Sequence, residues 1–353
     1  MNSIKIKLEG EEHSAGRGVG FYRSHLQTSL EKIGGIEIVS ETPDLVHYPF
    51  FDLFYSTLPQ NLQFPTVVTI HDLAPLVLSQ NYPTGIRAKI NLFMQRLALR
   101  NVSAVVTDSL CSKKDIVDLF HIEPEKVHVT YLAVDGAYSQ KPTEKDLKLV
   151  REKYHLPEKF ILYVGGVNPN KNLVRLARAA IKLNLPLVFV GSEFSKAPVQ
   201  TFSFKKLLGF QSVHPEVREF MKLKTIIDHN PLFHVLGFVN NQDLNAIYRL
   251  AEIYCQPSLY EGFGLPVLEA MTAGSLVVSS QAGSLPEIYP LETISFSPTD
   301  QKDIETSLGK ALNLSEKERT NMIEAGREKS KDFSWEKTAI ETKRVYLSVL
   351  QPK

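Results

Sequence analysis

The sequence has little of what marks several classes of protein. Its 353 residues include only two cysteines, Cys111 and Cys255, which lie far apart and lack metal-type spacing. We therefore expect a reducing compartment and no disulfide framework. The formal net charge is only +1, which gives no general attraction to nucleic acid. No apolar run is long enough to span a bilayer, and the first residues lack the apolar stretch of a secretory signal, so a cytoplasmic location is expected.

Short apolar, β-branched runs alternate with helical patterns along the chain. This alternation is typical of an α/β protein with doubly wound parallel sheets. The predicted strands form two series: Ile4–Leu8, Ile36–Val39, Leu45–Tyr48, Thr66–His71, Ala104–Thr107 and Val127–Leu132, then Phe160–Val164, Leu187–Val190, Phe233–Leu236, Ile253–Cys255, Leu276–Ser279 and Thr293–Phe296. Two such series predict two Rossmann-like domains, residues 1–150 and 151–332, separated by a polar, proline-bearing stretch that begins near Lys141.

Two segments carry basic residues opposite apolar ones. In the first strand, Lys5 and Lys7 alternate with apolar residues, which predicts an exposed face rather than a central strand. The helical pattern of residues 86–100 has Lys89, Arg96 and Arg100 on one side and Ile86, Ile90, Phe93 and Leu97 on another. A core-facing helix with a solvated basic face is the favoured interpretation. Contact with an anionic membrane or a lipid-linked acceptor is the alternative.

The stretch Ser258–Met271, with the sequence SLYEGFGLPVLEAM, follows an apolar strand and opens a helix. It places two carboxylates, Glu261 and Glu269, on either side of a Gly-Phe-Gly turn. Pro266 has the backbone angle suited to a first helical turn, and free N–H groups at a helix start can bind an anion. The segment thus offers donors to a phosphate and acceptors to hydroxyl groups, as a sugar nucleotide requires. The alternative is a plain strand-turn-helix corner in which Glu269 complements the helix dipole.

The string from Glu261 to Met271 closely resembles the Glu-x7-Glu motif of the family 4 retaining glycosyltransferases. That family has the GT-B fold, in which two Rossmann-like domains face each other across a cleft. The resemblance implies that Glu261 contacts the donor sugar and that Glu269 holds the ribose of the nucleotide. It implies that the intervening backbone meets the diphosphate through Gly262, Phe263, Gly264 and Leu265. It also implies that residues 333–353 form a helix that crosses back to the N-terminal domain.

A second turn, Gly165-Gly166 to Lys171, follows one predicted strand and precedes a helix. A lysine at such a turn can meet a phosphate while the helix start supplies amides. The resemblance assigns Lys171 to the donor diphosphate and Gly165 and Gly166 to donor binding. The family often has an arginine where this chain has Gly166 or Asn170, so one expected cation is missing.

The first predicted strand is followed by a glycine-rich segment, Ser14–Gly20, that opens a helix. Its glycines would let the backbone lie against a phosphate or a sugar. The resemblance is to the first-domain loop that faces the donor, which makes Gly18 and Gly20 candidate donor contacts. Arg17 and Arg23 are the first-domain candidates to replace the missing cation.

Further candidates follow other predicted strands. The family places a histidine beside the reacting sugar at the position of His71, which ends a buried strand here; Asp72 would orient the ring or its loop. A structural strand cap is the alternative for this histidine. The segment Thr107–Ser109 resembles the family's serine-bearing segment. Gly237 and Phe238 resemble the segment that flanks the nucleotide base.

The sequence contains no Asp-x-Asp pair and no His, Cys and carboxylate cluster with metal spacing. We therefore expect neither a metal ion nor a cofactor. In the family, helix dipoles and a lysine hold the diphosphate instead, which here is the role of Lys171.

The expected activity is transfer of a sugar from a nucleoside-diphosphate sugar to a hydroxyl of a glycan or lipid-linked acceptor, with retention of anomeric configuration. The pattern from Tyr163 to Leu173 looks most like bacterial mannosyltransferases of surface polysaccharide assembly, so GDP-mannose is favoured and a UDP-sugar comes next. Peripheral contact with the inner face of the cell membrane is an additional expectation, and no nucleic-acid partner is expected. The alternatives are a non-catalytic sugar-nucleotide-binding protein and an epimerase on the same fold.

Overall fold

The computed structural model describes residues 3–10, 18–82, 84–195 and 215–351. The chain forms two compact units, Met1–Val134 with Phe333–Lys353, and Asp135–Asp332. Among the described residues, no helix combines the length and the apolar content that crossing a bilayer requires.

The first unit contains one sheet of six parallel strands. The strands are β1 (Ile4–Leu8), β2 (Ile36–Ile38), β3 (Leu45–Tyr48), β4 (Thr66–Thr69), β5 (Ala104–Thr107) and β6 (Val127–Val129), in the order β2-β1-β3-β4-β5-β6. The helices before the second unit are α1 (Val19–Ile33), α2 (Ala74–Val77), α3 (Ile86–Leu99) and α4 (Leu110–Phe120). The central strands β4 and β5 are buried along their whole length, which matches their continuous apolar and β-branched runs.

The second unit contains another sheet of six parallel strands. They are β7 (Ile161–Val164), β8 (Leu187–Val190), β9 (Phe233–Val235), β10 (Ile253–Gln256), β11 (Val277–Ser280) and β12 (Ile294–Phe296), in the order β12-β11-β10-β7-β8-β9. The helices are α5 (Glu144–Lys153), α6 (Leu173–Leu183), α7 (Pro215–Ile227), α8 (Asn241–Leu250), α9 (Leu265–Ala273), α10 (Leu285–Ile288), α11 (Gln301–Leu312) and α12 (Glu316–Ser330). The strand order reverses between β7 and β10, which pair in parallel, and this is the switch point where ligands of such sheets bind. The predicted fold class is confirmed.

The unit boundaries fall before Asp135 and after Asp332. The pattern predicts the first boundary later, after residue 150. The difference arises because α5 packs against α8 in the second unit, where Lys153 Nζ lies 2.6 Å from Asp243 Oδ2. The last helix, α13 (Trp335–Leu350), packs against α1 in the first unit.

Two predictions about exposure need correction. Strand β1 does show an exposed face, with Lys5 in solvent, but it pairs with β2 on one side and β3 on the other, so it is not peripheral. Sheet pairing uses the backbone, and one face can therefore remain polar in an interior strand. In α3 the predicted core face is the exposed one: Ile86 and Phe93 are 80% and 60% exposed.

Candidate functional site

The loops that follow β7 and β10 lie side by side at the switch point of the second sheet. The backbone N–H of Leu259 donates to the carbonyl of Asn170 at 2.7 Å, and the Asn170 side chain donates to the carbonyl of Tyr260 at 3.1 Å. The side-chain amide of Asn172 donates to the carbonyl of Pro257 at 3.0 Å. Both asparagines are buried. Asn170, where the family often has an arginine, therefore joins two loops here.

Lys171 and Glu261 form an ion pair across these two loops. Lys171 Nζ donates to both carboxylate oxygens of Glu261, at 2.8 Å to Oε1 and 2.9 Å to Oε2. Gln256 Nε2 and Ser258 Oγ also donate to Oε1, at 2.7 Å and 2.6 Å. Only 9% of the Glu261 side chain and 20% of the Lys171 side chain are exposed. Oε1 thus accepts three hydrogen bonds and Oε2 one, which leaves acceptor capacity on Oε2.

A hydrogen bond from Tyr254 fixes the orientation of the Gln256 side-chain amide. The Tyr254 hydroxyl donates to Gln256 Oε1, so Nε2 is the atom that faces Glu261. Burial, with the neighbouring Tyr163 phenol and Glu261 carboxylate, raises the pKa of Tyr254 well above its ordinary value. The phenol therefore remains a neutral donor. No sequence pattern indicates this role, because Tyr254 lies within the apolar run of a buried strand and Gln256 directly follows that run.

The backbone around Glu261 is held tightly by the turn before α10. Gly283 has φ +62°, and a Cβ atom there would lie 2.4 Å from the Glu261 carbonyl oxygen. Ser284 Oγ donates to the carbonyls of Glu261 and Phe263 at 3.0 Å and 2.7 Å. Gly264, with φ +110°, is the residue before α9, and its position supplies no side-chain cap to the helix. The start of α9 follows Glu261 by only a few residues, so its first backbone N–H groups lie near the ion pair.

The second carboxylate, Glu269, lies on α9 and is half-buried. The Tyr248 hydroxyl, from the buried face of α8, donates to Glu269 Oε2 at 2.8 Å. Tyr248 therefore has a polar role beyond packing, because its phenol orients one oxygen of Glu269.

The glycine turn after β7 has its own support. Gly165 has φ +149°, and the Tyr163 hydroxyl donates to the carbonyl of Gly166 at 2.8 Å. The backbone N–H of Val167 donates to Glu193 Oε2 at 2.7 Å. An amide of this turn thus already binds one carboxylate oxygen. No sequence pattern indicates a role for Glu193, which follows β8.

The candidate base contact lies after β9. The carbonyl of Gly237 accepts a hydrogen bond from the Gly191 N–H at 2.8 Å, which ties the loops after β8 and β9 together. The ring of Phe238 is exposed to solvent. It is therefore available for stacking.

In the first unit, the side chain of His71 is held by Asp108, which directly follows strand β5. Its Nδ1 lies 2.6 Å from Asp108 Oδ2, and its Nε2 lies 3.2 Å from the carbonyl of Pro49. Burial disfavours the imidazolium, but the Asp108 carboxylate outweighs it and raises the pKa of His71. Asp72 instead accepts the Ala74 N–H at 2.8 Å, so it holds the loop rather than the ring. The sequence pointed to the segment containing Asp108 but not to this pairing.

A buried polar chain lies behind His71. The Tyr22 ring meets the imidazole edge-on at 4.9 Å, and its hydroxyl lies 3.1 Å from Thr69 Oγ1. His47 Nε2 lies 2.8 Å from the same Thr69 oxygen, and its Nδ1 lies 2.6 Å from the Tyr346 hydroxyl in α13. Burial lowers the pKa of His47 to about 3, so this ring is neutral at neutral pH.

The glycine-rich segment is described only in part. Residues 14–17, including Arg17, lie outside the described residues. Gly18, with φ +105°, precedes α1, and Gly20 lies in its first turn. The Arg23 guanidinium donates to the Leu8 carbonyl at 3.3 Å, at the end of β1. Over the ranges that the structure covers, no group of three or more His, Cys, Asp and Glu side chains is placed to hold a metal ion.

Comparison with known families gives matches over both units. Residues 144–329 match the family of glycosyl transferases group 1, and residues 24–137 match glycosyltransferase family 4. The first match covers more than half of the chain and contains the Lys171–Glu261 pair.

Two Escherichia coli proteins are similar in sequence. The serotype-specific mannosyltransferase WbdA is 29% identical over 315 residues, which is 86% of this chain and 37% of that protein. The O-antigen chain mannosyltransferase B is 27% identical over 298 residues, 82% of this chain and 71% of that protein. The chain thus spans little more than a third of the length of WbdA.

Among solved structures, sucrose-phosphate synthase from Thermosynechococcus elongatus is similar with a TM-score of 0.74 and 18% identity. The match covers 99% of each chain. At this identity the similarity establishes the fold, which is GT-B.

Proposed function

The chain belongs to the group 1 glycosyl transferases, and on this basis we propose that it moves a sugar from a nucleoside-diphosphate sugar to a hydroxyl of a glycan or lipid-linked acceptor. The observation that carries the proposal is the Lys171–Glu261 pair at the switch point, beside the uncapped start of α9. A cation, helix amides and an oriented carboxylate at one place suit a ligand with both phosphate and hydroxyl groups.

The proposed roles in the donor site follow from the donors and acceptors that each side chain carries. The Lys171 ammonium has three donors and gives two to Glu261, so one remains for a phosphate oxygen. Glu261 Oε2 would accept a hydroxyl of the sugar. Glu269, oriented by Tyr248, would accept the ribose hydroxyls. The exposed ring of Phe238 would stack on the base.

We propose retention of configuration by a same-face route. Glu261 accepts hydrogen bonds from Lys171 on both oxygens, and Oε1 accepts two more from Gln256 and Ser258. These bonds make the carboxylate a poor nucleophile and hold it in place as an acceptor for a sugar hydroxyl. The leaving diphosphate would itself help to deprotonate the acceptor hydroxyl. Lys171 and the α9 amides would stabilise the charge that grows on the diphosphate, an effect worth about a hundredfold or more in rate for a single donor.

His71 is proposed to position the transferred sugar. Both ring nitrogens face acceptors, and the raised pKa favours the form in which both carry protons. The longer contact, 3.2 Å from Nε2 to the Pro49 carbonyl, is the one that a sugar hydroxyl would replace. Asp108 would keep the ring in place during this exchange.

The proposed donor is GDP-mannose, with a UDP-sugar as the next choice. The pattern from Tyr163 to Leu173 supports it, and so do the similar proteins, both of which are mannosyltransferases. One of these proteins is named an O-antigen chain mannosyltransferase, which supports a growing surface polysaccharide as acceptor. We propose that the enzyme needs no metal ion or cofactor and meets its acceptor at the inner face of the cell membrane.

The test is incubation of the purified chain with a panel of GDP- and UDP-sugars while free nucleoside diphosphate is measured, with and without mannose oligosaccharides. We expect release from GDP-mannose that rises when an acceptor is present. Tight donor binding without release from any donor would favour a sugar-nucleotide-binding protein. Conversion of the sugar without transfer would favour an epimerase.

A further inference from the structure

Helix α3 carries a ridge of large apolar side chains that points into solvent. The α3 ridge consists of Ile86, Ile90, Phe93 and Met94, which are 80%, 57%, 60% and 40% exposed. Their spacing places them along one face of the helix. Contact between water and four large apolar side chains on one helix of 14 residues is unfavourable. A contiguous apolar surface of this kind is typical of an interaction site.

Cations flank the α3 ridge on both sides. At 100° per residue, Arg87 lies next to Met94 on one side, while Lys89 and Arg96 lie on the other. All three are exposed, as is Arg100 at the end of the helix. Residues 73–107 contain no Asp or Glu, although the whole chain is nearly neutral. Positive charge is therefore concentrated around an exposed apolar surface.

The face of α3 opposite the ridge attaches the helix to the rest of the first unit, and the ridge side chains take no part in these contacts. Gln95 is buried, its Nε2 donates to the Leu58 carbonyl at 3.1 Å, and its Oε1 accepts the Leu58 N–H at 3.1 Å. Asn91 Nδ2 donates to the Phe54 carbonyl at 2.7 Å. These contacts hold α3 in place, and the ridge side chains contribute little to the core. Core packing therefore does not account for the apolar character of the ridge.

We propose that the α3 ridge is a docking surface for an anionic lipid bilayer. The four apolar side chains would enter the boundary between headgroups and acyl chains, and the flanking cations would lie among lipid phosphates. Charge complementarity favours lipid over a second copy of this chain, because a second copy would bring the same cations to the interface. The docking stands on α3 alone; its use in bringing a lipid-linked acceptor near rests on the proposed function.

The test compares binding of the full chain to vesicles of phosphatidylcholine alone and of phosphatidylcholine mixed with phosphatidylglycerol, by flotation. We expect binding only to the mixed vesicles and weaker binding in high salt. The double variant Ile90→Ser with Phe93→Ser should bind about tenfold or more weakly, since each side chain removed from the interface loses burial. Leu291→Ser, which removes a fully exposed leucine of the second unit, should bind like the wild type.

Turnover of the nucleotide sugar in solution separates this proposal from the proposed function, because neither Ile90 nor Phe93 belongs to the donor site. The double variant should release nucleoside diphosphate at the wild-type rate without vesicles. Equal binding to both kinds of vesicle, or unchanged binding by the double variant, would overturn the docking surface. A wild-type dimer that the double variant converts to a monomer, without vesicle binding, would assign the ridge to a second copy and also overturn it.

Discussion

Lys171 Nζ lies 2.8 Å and 2.9 Å from the two carboxylate oxygens of Glu261, although the residues are separated by 90 positions in the chain. The contact joins the loops after β7 and β10, the two strands on either side of the switch point. A group that binds phosphate and a group that binds sugar hydroxyls are thereby held next to each other. The pair sets where the bond between sugar and diphosphate would lie.

Replacing Lys171 by Met should leave the Glu261 carboxylate buried with Gln256 and Ser258 as its remaining partners. We expect a loss of about 1–3 kcal/mol in the free energy of unfolding, measured with urea. Glu261→Gln should cost a similar amount. The double variant should be less destabilised than the sum of the two, and strict additivity would show that the contact contributes nothing.

Glu269→Ala should weaken binding of the nucleoside diphosphate even without an acceptor. Loss of hydrogen bonds to a charged group predicts a Kd about tenfold or more higher, measured by calorimetry with GDP and UDP. Tyr248→Phe should give a smaller effect, because the carboxylate stays but loses its orienting donor. Glu316→Ala, on the surface of α12, serves as the control. Unchanged affinity in Glu269→Ala would refute the ribose assignment.

Gly283→Ala tests the support beneath Glu261. The added methyl would meet the Glu261 backbone at 2.4 Å, and the residue has φ +62°. We expect a loss of about 1–3 kcal/mol in stability together with weaker donor binding. Gly309→Ala is the matched control, since the nearest atom to its Cβ is 4.0 Å away and the position lies inside α11. This control should gain about 0.5–1 kcal/mol.

The Asp108 carboxylate is predicted to favour the charged form of His71 and thereby to raise the pKa of the ring. Because the pKa of His71 is raised in the folded protein, protonation of the ring stabilises the fold. This stabilisation is complete at pH values below the ordinary pKa of 6.5 and is lost as the pH rises through the raised pKa. In Asp108→Asn, burial dominates and the pKa of His71 should fall. An NMR titration of the imidazole protons measures it, with His128 as an internal reference that should not move. The same His71 pKa in both proteins would contradict the pairing.

The architecture could be predicted because strand periodicity is a local property. Each predicted strand is present, and the ends differ by a few residues where polar groups such as His71 continue past the last paired residue. The Glu-x7-Glu and lysine turns could be placed at strand ends for the same reason. Their meeting at one switch point followed from the parallel order of the strands.

Other features depend on tertiary contacts that periodicity does not encode. The apolar spacing of α3 predicts a face but not its direction, and the buried amide of Gln95 decides which side packs. In the same way, His71 takes Asp108 from the next strand as its partner rather than its neighbour Asp72. The two carboxylates are equivalent in the sequence, and only the sheet order brings one to the ring.

The most direct test of the central claim is the rate of nucleoside diphosphate release from the preferred donor, measured side by side for the wild type and Lys171→Met at saturating donor. If Lys171 stabilises the leaving diphosphate, the rate should fall about a hundredfold or more while the variant remains folded. Equal rates in the two proteins would contradict the assignment of this site to glycosyl transfer.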